Sequence, residues 1–210
     1  MSKLSDVFVV GLTGQSGSGK TTVSDVFREN GFEVINADFI SRKVMEKGSE
    51  CLNEVSESFE NVLFDDGTLN RKKLAEYIFS DKDKKELLNS ITYPYITREV
   101  LHNIEEMSQN NKNLILLDAP TLFESRADDF CELVISIVSD KESRIERIIE
   151  RDGISRELAE KRLASQYDNK FYIDNSDYII KNNKTVEELK LKAKEVSDKI
   201  KEFYDAKKNI

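Results

Sequence analysis

The stretch Gly14-Gln15-Ser16-Gly17-Ser18-Gly19-Lys20-Thr21 matches the pattern G-x-x-x-x-G-K-[ST] at every fixed position. On its amino side, Val7 to Leu12 is a short apolar run rich in β-branched residues; on its carboxyl side a helical pattern runs from Lys20 to about Glu29. Strand, glycine-rich loop and helix in that order are the context this pattern needs. Glycine permits backbone conformations closed to other residues, so successive N–H groups can turn toward one anion, and the helix N-terminus adds partial positive charge. Gly14, Gly17, Ser18, Gly19, Lys20, Thr21 and Thr22 are therefore the expected nucleotide-binding residues. Lys20 is expected to bridge the β- and γ-phosphates of ATP, and the Thr21 hydroxyl to ligate Mg²⁺. The competing reading is a glycine-rich turn with a solvated lysine, which leaves the flanking strand and helix unexplained.

Four further apolar runs follow: Phe32 to Ile35, Leu114 to Leu117, Leu133 to Val138 and the short Tyr178 to Ile180. None alternates apolar with polar residues, as expected of strands buried on both faces of a parallel sheet. Helical patterns lie between them, and from Thr185 on Leu189, Ala193, Val196, Ile200 and Phe203 mark an amphipathic terminal helix. The expected fold is α/β, with a phosphate-loop core of a five-stranded parallel sheet flanked by helices. A mostly helical, polar insertion is expected from about Glu50 to Asn110, broken at Tyr93-Pro94. Two helices around a turn at Asp152-Gly153 are expected between Asp140 and Gln166. Ligands of such sheets bind beyond the carboxyl ends of the strands.

Two carboxylates fall at such ends. Asp118 closes the run Leu114-Ile115-Leu116-Leu117 and reads as a residue of the Mg²⁺ shell, or as a turn or helix cap. Asp38, after the second strand, reads as the group that orients or takes the proton of an attacking hydroxyl, or as the N-cap of a helix from Phe39 to Lys47. Arg144, Arg147 and Arg151 recur at spacings of three and four, so they share one helical face. That face is expected either to clamp a polyphosphate within a closing lid, Arg147 acting in catalysis and Arg151 in ATP binding, or to pair with Glu142, Glu146 and Glu150 in solvent. His102, the single histidine, has no nucleophile or carboxylate beside it in the sequence, which argues against a Ser-His-Asp hydrolase.

Composition limits the alternatives. A 210-residue chain with 39% hydrophobic and 34% charged residues is long enough for a substantial core. Its net charge of −8 provides no basic footprint for nucleic acid. Cys51 and Cys131 stand apart, outside any metal-binding spacing, and read as reduced buried thiols. No run approaches the ~18 apolar residues of a membrane span, and the opening Met1 to Leu12 is too weakly apolar for a signal peptide. A cytoplasmic enzyme with no membrane and no obligate protein partner is expected. A GTP-dependent switch would read guanine through N-K-x-D, which is absent.

Several motifs together resemble the dephospho-CoA kinase family along nearly the whole chain. They are Val10-Gly11-Leu12-Thr13-Gly14 with Gly17 to Val23, Asn36-Ala37-Asp38-Phe39-Ile40-Ser41-Arg42, and the segment from Leu69-Asn70-Arg71 to Phe79. Asp118-Ala119-Pro120-Thr121-Leu122-Phe123-Glu124 follows, then Arg147 to Gly153 running on to Arg162 and Gln166, and Ser176 to Ile180. The chain departs from the family's common pattern at Tyr93, before Pro94, and at Thr121. The resemblance implies a core formed by 1–48, 112–140 and 174–210, a helical coenzyme A-binding domain at 49–111, and a lid at 141–173. It also implies transfer of the ATP γ-phosphoryl group to the ribose 3′-hydroxyl of dephospho-coenzyme A, with Asp38 beside the acceptor hydroxyl. Another nucleoside or nucleotide monophosphate kinase is the alternative, sharing the loop and lid and differing in the acceptor.

Overall fold

The computed structural model describes residues 7–208. The first residues of the chain, on which the signal-peptide reading partly rests, lie outside the described ones, as does the side chain of Phe79. Strands β1 (Phe8–Gly14), β2 (Glu33–Asn36), β3 (Leu114–Asp118), β4 (Leu133–Val138) and β5 (Tyr178–Lys181) form one five-stranded parallel sheet in the order β2-β3-β1-β4-β5. β1 is central and buried at every position, because it has a strand on each side and helices over its faces. Its register sets Leu12 beside Asp118 of β3 and Thr13 beside Ser136 of β4. The chain leaves β1 toward β2 on one side and leaves β3 toward β4 on the other, so the switch of direction falls between the carboxyl ends of β1 and β3.

By packing density the chain forms two compact units. The first runs up to Ile35 and resumes at Glu106. In it α1 (Lys20–Glu29) and α9 (Val186–Lys208) lay Val23, Val26, Phe27, Leu189, Ala193 and Ile200 on Phe8, Val10 and Leu12 of β1 and Ile135 and Ile137 of β4. Further along, α6 (Lys141–Asp152), α7 (Arg156–Ala164) and α8 (Asn169–Asp174) follow β4. α6 and α7 share a small core of Ile145, Ile148, Ala159 and Leu163. Gly153, left-handed at φ 65°, ends α6 where the Asp152-Gly153 turn is expected, and Ser155 caps α7 by accepting the Leu158 N–H.

The second unit, Asn36–Glu105, packs Met45, Cys51, Leu52, Val55, Phe59, Val62 and Leu74 from α2 (Ala37–Lys43) onward through α3 (Glu50–Ser58) and α4 (Arg71–Ser80). Three expectations shift here and beyond. α5 (Lys82–Gln109) runs unbroken through Pro94, because Leu88 and Ile91 before it and Tyr95 after it are held on the same core, offsetting one lost helical hydrogen bond. α2 begins two residues earlier than expected and ends at Lys43, because the cap is Asn36, whose Oδ1 accepts the Phe39 N–H at 2.8 Å. The short α8 has no expected counterpart; Asp168 nucleates it by accepting the Phe171 N–H at 2.8 Å. Both cysteines are free thiols; Cys51 is buried as expected, whereas Cys131 is only partly so.

Candidate active site: a phosphate loop with its carbonyls tied back

The loop between β1 and α1 can bind an anion only if its carbonyls face away from the ligand. Three of them are held by named donors. Gln15 O accepts the Ser18 N–H at 3.1 Å, closing a tight turn in which Gly17 takes φ 76°. Gly17 O accepts Arg147 Nη1 at 3.1 Å, and Ser18 O accepts Asn182 Nδ2 at 2.8 Å. With the carbonyls so held, the N–H groups of Gly17, Gly19, Lys20, Thr21 and Thr22 have no protein acceptor among the described residues. The last three open α1, where no intrahelical acceptor exists. Five donors without a protein acceptor, three of them the N-terminus of α1, thus lie within six consecutive residues.

Gly19 shows how little the loop tolerates. It sits at φ 99°, and a Cβ there would lie 2.5 Å from Asn182 Nδ2, the donor that holds Ser18 O. Gly19→Ala is expected to cost about 2 kcal/mol of stability from backbone strain and displaced packing, and to weaken ATP binding at least about tenfold. Urea unfolding and calorimetric ATP titration check the two parts separately.

Lys20 Nζ forms an ion pair and hydrogen bond with Asp118 Oδ1. Asp118 is 3% exposed, held at the end of β3 while Ala119 N–H bonds Leu12 O at 3.0 Å and Thr13 Oγ1 donates to Pro120 O at 3.3 Å. The switch point therefore places together the two charges that the sequence separates by 98 residues. Thr21 is exposed in the first turn of α1. Asp118 and Thr21 offer hard oxygen donors, and no cluster of three or more His, Cys, Asp or Glu exists among the described residues. That donor set suits Mg²⁺, which takes few protein ligands and keeps phosphate and water as the rest.

The three arginines of α6 have different partners. Arg144 is buried, donates Nε to Ser139 O at 3.0 Å, and has its pKa lowered by burial. Arg147 is half-buried: besides Gly17 O it donates to Ser139 Oγ at 3.1 Å and Asn182 O at 3.3 Å. Arg151 is exposed and grips Asp152 through Nε at 2.7 Å and Nη2 at 2.9 Å. The three share one helical face but are spread over about 10 Å along the helix axis, and each meets a different partner. Of the glutamates considered from the sequence, Glu142 bonds Arg156 of α7.

Asp152 also accepts Arg162 Nη1, and the two guanidinium groups, Arg151 first, hold its carboxyl down at about 2. A depressed carboxylate stabilises the fold above its unfolded pKa of about 3.9, and that contribution is lost as pH falls through about 2. Asp152→Asn is expected to melt slightly below wild type at pH 7, with the gap closing between about pH 4 and 2. A series of melting temperatures against pH measures this.

Asp38 belongs to the second unit, exposed in the first turn of α2 and two residues past the end of β2. With Asn36 as the cap, Asp38 is relieved of the capping role. His102 is exposed on α5. Residues not singled out from the sequence are Ser139 and Asn182; Gln166 is named there only as part of the family resemblance, with no role given to its side chain. Asn182 is 6% exposed directly after β5, and a buried amide at that strand end is visible in the sequence only as the polar residue following Ile180-Lys181.

A parallel sheet with a phosphate loop after its first strand, a lysine at the first turn of the helix and a buried aspartate on the neighbouring strand defines a P-loop nucleotide-binding protein. Residues 8–188 match the family model described as dephospho-CoA kinase. The chain is 41% identical over 185 residues to the dephospho-CoA kinase of Fusobacterium nucleatum, covering 87% of this chain and 93% of that protein. It is 36% identical over 195 residues to the dephospho-CoA kinase of Listeria monocytogenes, covering 92% and 96%. The solved dephospho-CoA kinase from Campylobacter jejuni superposes with a TM-score of 0.68 at 30% identity, covering 91% of this chain and 96% of that one. The chain belongs to the dephospho-CoA kinase family and is a transferase of the kinase type acting in coenzyme A biosynthesis; another nucleoside or nucleotide kinase is not favoured.

Proposed function

We propose that the loop binds the triphosphate of ATP and that the γ-phosphoryl group passes in line to the ribose 3′-hydroxyl of dephospho-coenzyme A, giving coenzyme A and ADP. The observation that supports the donor half is the set of tied-back carbonyls of Gln15, Gly17 and Ser18 with the unpaired N–H groups of Gly17, Gly19, Lys20, Thr21 and Thr22 beside the Lys20 ammonium. Family membership carries the acceptor half.

In this reading Lys20 exchanges Asp118 for the β- and γ-phosphates and follows the charge as it moves to the bridging oxygen. Asp118 and Thr21 hold Mg²⁺, which when bound neutralises the phosphate oxygens. Gly14, Gly17, Ser18, Gly19 and Thr22 complete the cradle. Arg147 contributes positive charge from behind the loop and fixes the Gly17 carbonyl, while Arg151 trades Asp152 for ATP phosphate as the segment 141–173 closes and excludes water. Asp38 orients the acceptor hydroxyl and takes its proton. The helical segment 49–111 receives the coenzyme A moiety. No helix among the described residues is long and apolar enough to cross a membrane. A cytoplasmic place of action without an obligate protein partner completes the proposal.

A phosphoryl-transfer assay that offers dephospho-CoA beside AMP, CMP, GMP and common nucleosides tests the acceptor. Dephospho-CoA is expected to be preferred. Preference for any of the others overturns the substrate and leaves the kinase chemistry standing.

A further inference from the structure

The loop is gripped from a direction that the phosphate-binding pattern does not require. Gln166 and Tyr167 lie in the four-residue link between α7 and α8. Gln166 Oε1 accepts the Ser16 N–H at 3.0 Å, and Gln15 Nε2 donates to Tyr167 O at 2.6 Å. The two bonds are reciprocal, each joining a glutamine side chain on one segment to the backbone of the other. They span 150 and 152 residues of sequence.

The orientation of both amides follows from chemistry. Gln15 turned over would set its oxygen against the Tyr167 carbonyl, and Gln166 turned over would set its NH₂ against the Ser16 N–H. Gln15 is 5% exposed, and its Oε1 is buried without a partner among the described residues. The link is itself preorganised. Tyr167 stacks on Phe171 with centroids 3.8 Å apart, Phe171 meets Phe123 edge-on at 5.3 Å, and Asn169 Nδ2 holds Ser139 O at 3.2 Å. Phe123 follows β3 by five residues and Ser139 follows β4, so the link is fastened to segments leaving both strands.

The consequence falls on one peptide. The Gln15–Ser16 unit has its carbonyl bonded by Ser18 N–H and its N–H bonded by Gln166. It opens the tight turn at Gly17, and the turn sets the direction of the N–H groups that follow. A peptide held at both ends cannot rotate, so the cradle is formed before the anion arrives.

We infer that Gln166 is a positioning residue for phosphoryl transfer: with Gln15 as its reciprocal arm, it locks the Gln15–Ser16 peptide and ties the α7–α8 link to the phosphate loop. The inference rests on the proposed use of this loop for ATP. It acts on the donor side alone, so it does not depend on which acceptor is phosphorylated.

The test uses the full chain with Gln166→Met, Gln15→Met and the double variant, since methionine keeps length and volume and removes the hydrogen bonds. ATP affinity is read by calorimetric titration, which needs no acceptor, and KM for ATP, KM for acceptor and kcat by steady-state assay. Each single variant is expected to bind ATP about tenfold more weakly, with acceptor KM unchanged within about twofold, as befits the loss of one well-placed hydrogen bond. Because the two arms form one latch, the double variant is expected to fall within about twofold of the weaker single. ATP affinity unchanged in both singles, losses that multiply in the double, or a rise confined to acceptor KM would each overturn the inference. If Gln166→Met fails to fold, Gln15→Met carries the same expectation through the other arm. A wild-type protein that binds ATP and phosphorylates a different acceptor refutes the substrate reading and leaves this test intact.

Discussion

Replacing Lys20 by alanine is expected to lower kcat by at least about 10²-fold, comparable to removing one preorganised charge-stabilising donor. The ammonium stands on a flexible stem and can travel with the transferring group, whereas the loop N–H groups are fixed. The substitution has a second effect, on stability. Lys20 and Asp118 have side chains 15% and 4% exposed, so alanine leaves a buried carboxylate alone, at a cost of roughly 3 kcal/mol. The two effects separate in a double variant. Lys20→Met with Asp118→Asn is expected to recover most of the lost stability and none of the activity. Steady-state kinetics with thermal melts on the two variants checks both statements, and a Lys20→Ala enzyme turning over within about tenfold of wild type would remove Lys20 from its role.

Asp38→Asn is expected to reduce kcat by about 10²- to 10⁴-fold while ATP affinity stays within about twofold. The asparagine side chain has nearly the same shape and cannot accept the proton of a hydroxyl. Helix α2 is not at risk, because Asn36 and not Asp38 accepts the Phe39 N–H. The comparison of kcat with a direct ATP titration therefore reads chemistry and not folding. An Asp38→Asn enzyme at full speed would sink the assignment.

How far the site is legible in the sequence depends on the distance over which each residue acts. Gly14 to Thr21 can be read from the chain because the loop is made by its own backbone, and its glycines report positive φ directly. Asp118 can be read because an apolar strand has to end somewhere and a carboxylate at that end is conspicuous. The donors that tie the loop back are a different case. Asn182, Arg147 and Gln166 reach it from 164, 130 and 150 residues away, and no local period encodes such contacts. For Arg144, Arg147 and Arg151 the helical spacing gives the shared face but not the partner, which differs for each: Ser139, the loop and Asp152. Pro94 failed as a break because tertiary contacts on both sides outweighed one local hydrogen bond. Substrate identity, finally, rests on likeness to whole relatives and not on any single residue of this chain.

The most direct test of the account is a product analysis. The purified protein is given ATP, Mg²⁺ and dephospho-CoA, and the products are separated and examined by phosphorus NMR. The expected result is ADP and coenzyme A in equal amounts, with the new phosphate on the ribose 3′-oxygen. ADP released without a phosphorylated acceptor, or a phosphate found elsewhere on the molecule, would contradict it.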